Sequence, residues 1–203
     1  MQPNKTRANL WMDLGLVAFL IGLDVVARLV PHAPGFMPIA ASALFAGRMV
    51  RIPGLAFIVP IAAMGLSALA LGLDDWRISL IVALAISLPA LVGMVTRRWS
   101  GIPATIAVMV PCSLAFFAIS NFAVWAFSGI YSLDFSGLTQ CYVAALPFLQ
   151  NTVAGDLFWT AVLFGGAWAL QNRAALAGRA RYLSCHSGAR AKRASPESRL
   201  SSY

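Results

Sequence analysis

Long apolar runs separated by short polar breaks organise this chain. They cover about residues 11–30, 36–50, 54–73, 78–96, 102–127 and 151–170. A helix needs about 20 largely apolar residues to cross the hydrocarbon core of a bilayer. All but the second run come close to that length or exceed it. The run at 36–50 is short, and reads as a tilted, thin or partly re-entrant segment. Between the last two runs lies a mixed connector, residues 128–150, in which 137–146 reads as a short interfacial helix. The pattern predicts an all-α membrane protein, a bundle of six transmembrane helices over residues 11–171. Residues 1–10 would precede it and a basic tail, 172–203, would follow it.

The polar breaks orient the runs. Lys5 and Arg7 precede the first run, Arg48 and Arg51 follow the second, and Arg97 and Arg98 follow the fourth. The intervening breaks hold Arg28 with His32, Asp74 and Asp75 with Arg77, and Asp134 alone. Lys and Arg near span ends resist translocation. The alternation therefore puts both termini and the Arg-rich turns in the cytoplasm, and the other breaks outside. The first run resembles a signal peptide, but Asp13 and Asp24 interrupt it and no small-residue cleavage site follows, so it reads as a retained span.

Composition supports the bilayer and removes other readings. Hydrophobic residues make up 60% of the 203 and charged residues 11%, against roughly 25% charged in a soluble domain. The net charge of +8 suggests a nucleic-acid binder until it is located. Seven Lys and Arg lie beyond Gln171 against Glu197 alone, leaving +2 for the rest. The tail is rich in Ala, Ser, Gly and Arg and is expected to be disordered. Its basic residues suit anionic headgroups or act as a topology anchor. No nucleic-acid partner is expected; the bilayer is. Cys112, Cys141 and Cys185 are widely spaced, with no metal-ligand or disulfide pattern.

No catalytic motif is present: no zinc-protease, nucleophile-elbow or phosphate-loop sequence occurs. The chain is not expected to be an enzyme, and no metal or cofactor is expected. Polar groups inside spans carry the information, because lipid makes them costly unless they face an interior or a cavity. Asp24 and Arg28 share a helical face, as an internal ion pair or as a cavity wall in which Arg28 holds an anionic group. Asn121 and Trp125, also four residues apart, suit either helix packing or a small organic ligand. Asp156 follows Asn151 near the start of the last run. It is either a charge partner for a helix start or a buried acid in an outward cavity. With the orientation above, Arg28, His32, Asn121, Trp125, Tyr131, Tyr142, Asn151 and Asp156 all lie toward the outer side and form the candidate ligand site. Ser42-x-x-x-Ala46 and Ala43-x-x-x-Gly47 are small faces that allow close helix approach.

Two stretches carry a family resemblance. One runs Ala27-Arg28-Leu29-Val30-Pro31-His32-Ala33-Pro34-Gly35-Phe36-Met37-Pro38-Ile39-Ala40-Ala41. The other begins Asn121-Phe122-Ala123-Val124-Trp125, passes Tyr131 and Gly137-Leu138-Thr139-Gln140-Cys141-Tyr142, and closes on Asn151-Thr152-Val153-Ala154-Gly155-Asp156-Leu157. They resemble the DUF6580 family of small bacterial membrane proteins, described as transport proteins without an assigned substrate. That family is similar to the substrate-binding S components of energy-coupling-factor transporters. The resemblance implies a six-helix protein of the bacterial inner membrane that takes up a vitamin-like or metal-related solute at its outer face. It also implies partners, a transmembrane T component and cytoplasmic ATPases. The contrasting expectation is a membrane scaffold or assembly protein with the same helices. The chain departs from the family at Ser67-Ala68, where a Ser-Asp pair is common, and at Ser132, where Pro often follows the tyrosine.

Overall fold

The computed structural model describes residues 3–31, 33–72, 75–99 and 101–193, and every regular element among them is an α-helix. The helices are α1 (Pro3–Leu29), α2 (Ile39–Met49), α3 (Pro53–Leu71), α4 (Trp76–Val95), α5 (Ile102–Phe127) and α6 (Phe135–Arg193). Five stretches among the described residues are long and apolar enough to cross a membrane: Asn9–Leu29, Pro53–Leu71, Trp76–Val95, Pro103–Phe127 and Phe135–Arg173. The chain divides into two compact units, Met1–Phe164 and Gly165–Tyr203. In the second, the helix continues as far as Arg193, through much of the tail for which disorder is expected. There Trp168 and Leu170 are exposed and the Asn172 amide donates to the Trp168 carbonyl.

The expectation of six spans is corrected at α2, the short run that reads as tilted, thin or partly re-entrant. This helix has 11 residues, about 16 Å at 1.5 Å per residue, roughly half a hydrocarbon core. It is a buried core helix: Ile39 through Gly47 are all buried. It packs on α3 and α4 and touches α1 and α5. It ends in extended backbone at Val50 and Ile52, and Pro53 disfavours helical geometry in the residue before it. Small residues allow the burial. A methyl on Gly47 would overlap the Ala90 carbonyl oxygen, and one on Gly93 would lie 2.5 Å from the Leu44 carbonyl oxygen. The small stripe of α2 is therefore an internal packing face against α4, where the two backbones touch.

The last two runs bring a second correction. The interfacial helix at 137–146 and the span start near Asn151 merge into one helix that begins at Phe135 and passes through Pro147. The signal for this start is Asp134, the residue ahead of the first turn. Its carboxylate accepts from the Gly137 N–H at 2.7 Å and the Ser132 hydroxyl at 2.8 Å, an N-cap arrangement. Pro147 removes only its own N–H from the ladder and does not end the helix.

Those donors, the Gly137 N–H first and then the Ser132 hydroxyl, hold the Asp134 carboxyl below its usual range. A depressed folded-state value adds stability above the unfolded value of 3.8, and the gain disappears as pH falls through the folded value. The Gly137 amide is expected to be protected from hydrogen exchange at neutral pH and to lose protection on acidification below about pH 4. In Asp134→Ala the protection should already be absent at neutral pH. Equal protection in the variant would rule out the cap.

One end of the bundle is tied by arginines. Arg97 donates to the Gly47 carbonyl at 2.8 Å and to the Val50 carbonyl, closing the C-terminus of α2. Arg48 donates to Thr105 at 2.7 Å and lies over the Phe164 ring. Asp13 accepts from the Arg51 backbone N–H at 3.1 Å. At the opposite end, Asp75 caps α4 by accepting from the Arg77 N–H.

Candidate functional site

The end of the bundle away from these arginines gathers the segment at 33–38, the end of α5 and the first turns of α6. The segment lies across α6. Gly35 has φ +84°, a region that favours glycine. A side chain there would also meet the Thr152 hydroxyl at 2.5 Å. A methyl on Gly155 would lie 2.9 Å from the Phe36 Cα, and the Phe36 and Phe158 rings sit 5.5 Å apart. The two stretches that carry the family resemblance are thus packed on each other.

Between them is a cavity of about 220 Å³ walled by Phe116, Phe117 and Phe148, with Ser120, Asn121 and Thr152 as its polar groups. Gly35 contributes the backbone that closes one side. Apolar walls with a few convergent polar groups are the usual make-up of a small-molecule site. A larger depression, about 340 Å³, lies along Phe122, Leu138, Tyr142 and Val143. It is an open groove on the surface of α5 and α6, so the smaller, more enclosed cavity is the better candidate.

The structure separates the predicted site residues. Asn121 lines the cavity and its amide donates to the Phe117 carbonyl at 2.8 Å. Tyr142 lies in the open groove, with its hydroxyl donating to the Ala118 carbonyl at 2.6 Å and its ring edge-on to Phe117. Trp125 stacks near Phe122 and donates to the Ser132 carbonyl at 2.9 Å, which holds the turn at 128–134 onto α5. Tyr131 is half-buried in that turn, and Asn151 is half-buried beside Thr152. His32 lies outside the described residues.

Asp24 and Arg28 diverge despite their spacing. Asp24 is fully buried and accepts from the Ser42 hydroxyl of α2 at 2.8 Å, while Arg28 points a guanidinium nitrogen at the Met64 sulfur of α3, 3.0 Å away. The second carboxylate oxygen of Asp24 has no hydrogen-bond partner. Ser67, the position where the family often continues with an acid, is buried and bonded to its own helix.

Asp156 is buried, one helical turn deeper than Thr152 on the same face of α6. It accepts from the Ser113 hydroxyl of α5 at 2.6 Å. Sequence reasoning missed Ser113, Phe117, Ser120 and Thr152. Their signal was the i, i+4 recurrence of Thr152, Asp156 and Thr160 on one helix face, with Ser113, Phe117 and Asn121 on the other. The Trp159 indole nitrogen and the Thr160 hydroxyl, next on α6, are buried with no hydrogen-bond partner. Among the described residues no group of three or more His, Cys, Asp or Glu side chains could hold a metal ion.

No curated protein and no solved structure matches the chain. The family described as a family of unknown function, DUF6580, matches residues 8–180. That range contains all of α2 to α5, the segment at 33–38 and the Thr152–Asp156 face of α6. This chain belongs to the DUF6580 family.

Proposed function

We propose that this protein captures a small solute from the outer side of the bacterial inner membrane and serves in its uptake, in the manner of an S component of an energy-coupling-factor transporter. The observation that carries the reading is the aromatic cavity with Ser120, Asn121 and Thr152 at the end of the bundle opposite the arginines. By the positive-inside rule that end faces outward. The volume, about 220 Å³, suits a compact organic molecule with a flat apolar part and one or two hydrogen-bonding groups. Release inward would need an energised partner, a T component with ATPases, as the resemblance to S components implies.

The test is whether the purified protein retains or is stabilised by a small molecule. A solute identified by mass spectrometry of the purified protein should raise its melting temperature. Asn121→Ala or Thr152→Val should weaken that solute's binding about tenfold, the equivalent of one lost hydrogen bond. If neither variant changes the affinity, the cavity is not the site. If no vitamin-like solute is retained or stabilising, and deletion leaves uptake unchanged, the transport reading fails.

A scaffold or assembly role is the second reading. Trp125, Tyr142 and the Asn121 amide all make internal hydrogen bonds, which favours packing over ligand contact at those positions. Under that reading a partner membrane protein, and no solute, would copurify.

A further inference from the structure

The α5–α6 pair poses an electrostatic problem. α5 contains no charged residue, and between 135 and 172 Asp156 is the sole one. Asp156 is 3% exposed. An unpaired charge in such surroundings is costly, so a group that neutralises it is called for. The Ser113 hydroxyl does not neutralise it, and its single proton faces two acceptors, Asp156 at 2.6 Å and the Met109 carbonyl at 3.1 Å. One turn further along the same face, Thr160 is also 3% exposed and its hydroxyl has no hydrogen-bond partner. A buried polar group left in this state signals a missing partner.

We propose that Asp156, Ser113 and Thr160 form a binding site for a monovalent metal cation, with Na⁺ as the ion. The carboxylate and the two hydroxyls are hard oxygen donors. With an ion present, Ser113 can give its proton to the Met109 carbonyl and turn its lone pair inward. Thr160 then gains the partner that it otherwise lacks. One carboxylate balances one positive charge; a divalent ion would leave net charge buried. Asp24 lies on another helix, α1, where it accepts from the Ser42 hydroxyl of α2, and belongs to no part of this site. Thr152, one turn outward from Asp156, lines the outer cavity and marks the route of entry. The site does not depend on the cavity holding a solute.

The experiment uses the full chain in detergent or nanodiscs at mildly alkaline pH, where protons compete least. NaCl is titrated against choline chloride at constant ionic strength, with melting temperature and tryptophan fluorescence as readouts. Trp159 neighbours Thr160 and serves as the reporter. A saturable rise with Na⁺ and none with choline is expected, because an ion that binds only the folded state stabilises it. Asp156→Asn should abolish the response, Ser113→Ala and Thr160→Val should each weaken Na⁺ affinity several-fold, and Asp24→Asn should leave it intact. A response that persists in Asp156→Asn overturns the proposal, as does a wild-type melting temperature that follows pH and ignores Na⁺, since a proton then neutralises the acid. If Asp156→Asn does not fold, the shape-conserving Thr160→Val decides, and unchanged affinity there overturns the site. No solute enters this measurement, so its failure leaves solute capture standing.

Discussion

Gly47→Val is expected to unfold the bundle or to leave a protein that cannot be purified in folded form. The added Cβ would overlap the Ala90 carbonyl oxygen. That oxygen belongs to helix backbone, which cannot swing aside as a flexible side chain can. Across the same contact, Gly93 lies against the Leu44 carbonyl oxygen, so both helices would have to separate. α2 is buried from Ile39 to Gly47, and moving it disturbs its packing on α3 as well as α4. Overpacking alone costs about 1–3 kcal/mol. Displacing a central helix adds lost contacts on every side, so a loss of about 4 kcal/mol or more is expected. Gly65→Ala is the control. A methyl there meets nothing within 4 Å, and alanine in a helix interior gains about 0.5–1 kcal/mol over glycine. Thermal unfolding followed by fluorescence and size exclusion measures both. A Gly47→Val protein that melts within a few degrees of wild type would remove the α2–α4 contact from the account.

A periplasm-dependent reporter enzyme fused after Asp134 is expected to be fully active, and the same reporter fused after Arg98 to be silent. The contrast is all-or-none because a fused domain either crosses the membrane or does not. Arg48, Arg51, Arg97 and Arg98 cluster where α2 ends, α3 begins and α4 ends. Each would have to be carried across if that end faced out, and Lys and Arg close to span ends resist translocation. The opposite end carries Asp75 and Asp134 with Arg77 as its exposed base. A third fusion after Gln171 should also be silent. The reverse pattern would invert the orientation, and with it the outward cavity on which solute capture rests.

Much of the helical plan is legible in the sequence. The run at 102–127 has the bounds of α5, because Gly101 and Pro103 mark its start and the polar turn after Phe127 its end. The runs at 54–73 and 78–96 lie within two residues of α3 and α4 at each end. The merged α6 was not readable in the same way. Pro147, Gln150 and Asn151 interrupt its hydropathy, and hydropathy alone does not reveal that Asp134 has already capped a helix. The candidate site was half legible. Asn121 and Asp156 were singled out as polar groups in spans, and both belong to the α5–α6 face beneath or beside the cavity. Trp125 is grouped with Asn121 by its spacing and Tyr142 by topology, and the donors of both are turned to backbone carbonyls.

The sequence by itself determined that this chain is built of apolar helices suited to a bilayer and that its basic residues fall at alternate ends; it also suggested a sixth span, where five helices among the described residues are long and apolar enough. Those are properties of composition along a line, and burial in lipid needs nothing more specific. The tertiary structure alone decided that the short α2 is buried in the core, that Asp24 and Arg28 part toward different neighbours, and that Asp156 meets Ser113 across two helices. Spacing along one helix specifies a face. Which helix that face meets depends on the packing of all the others, and here that packing turns on glycines small enough to let two backbones touch.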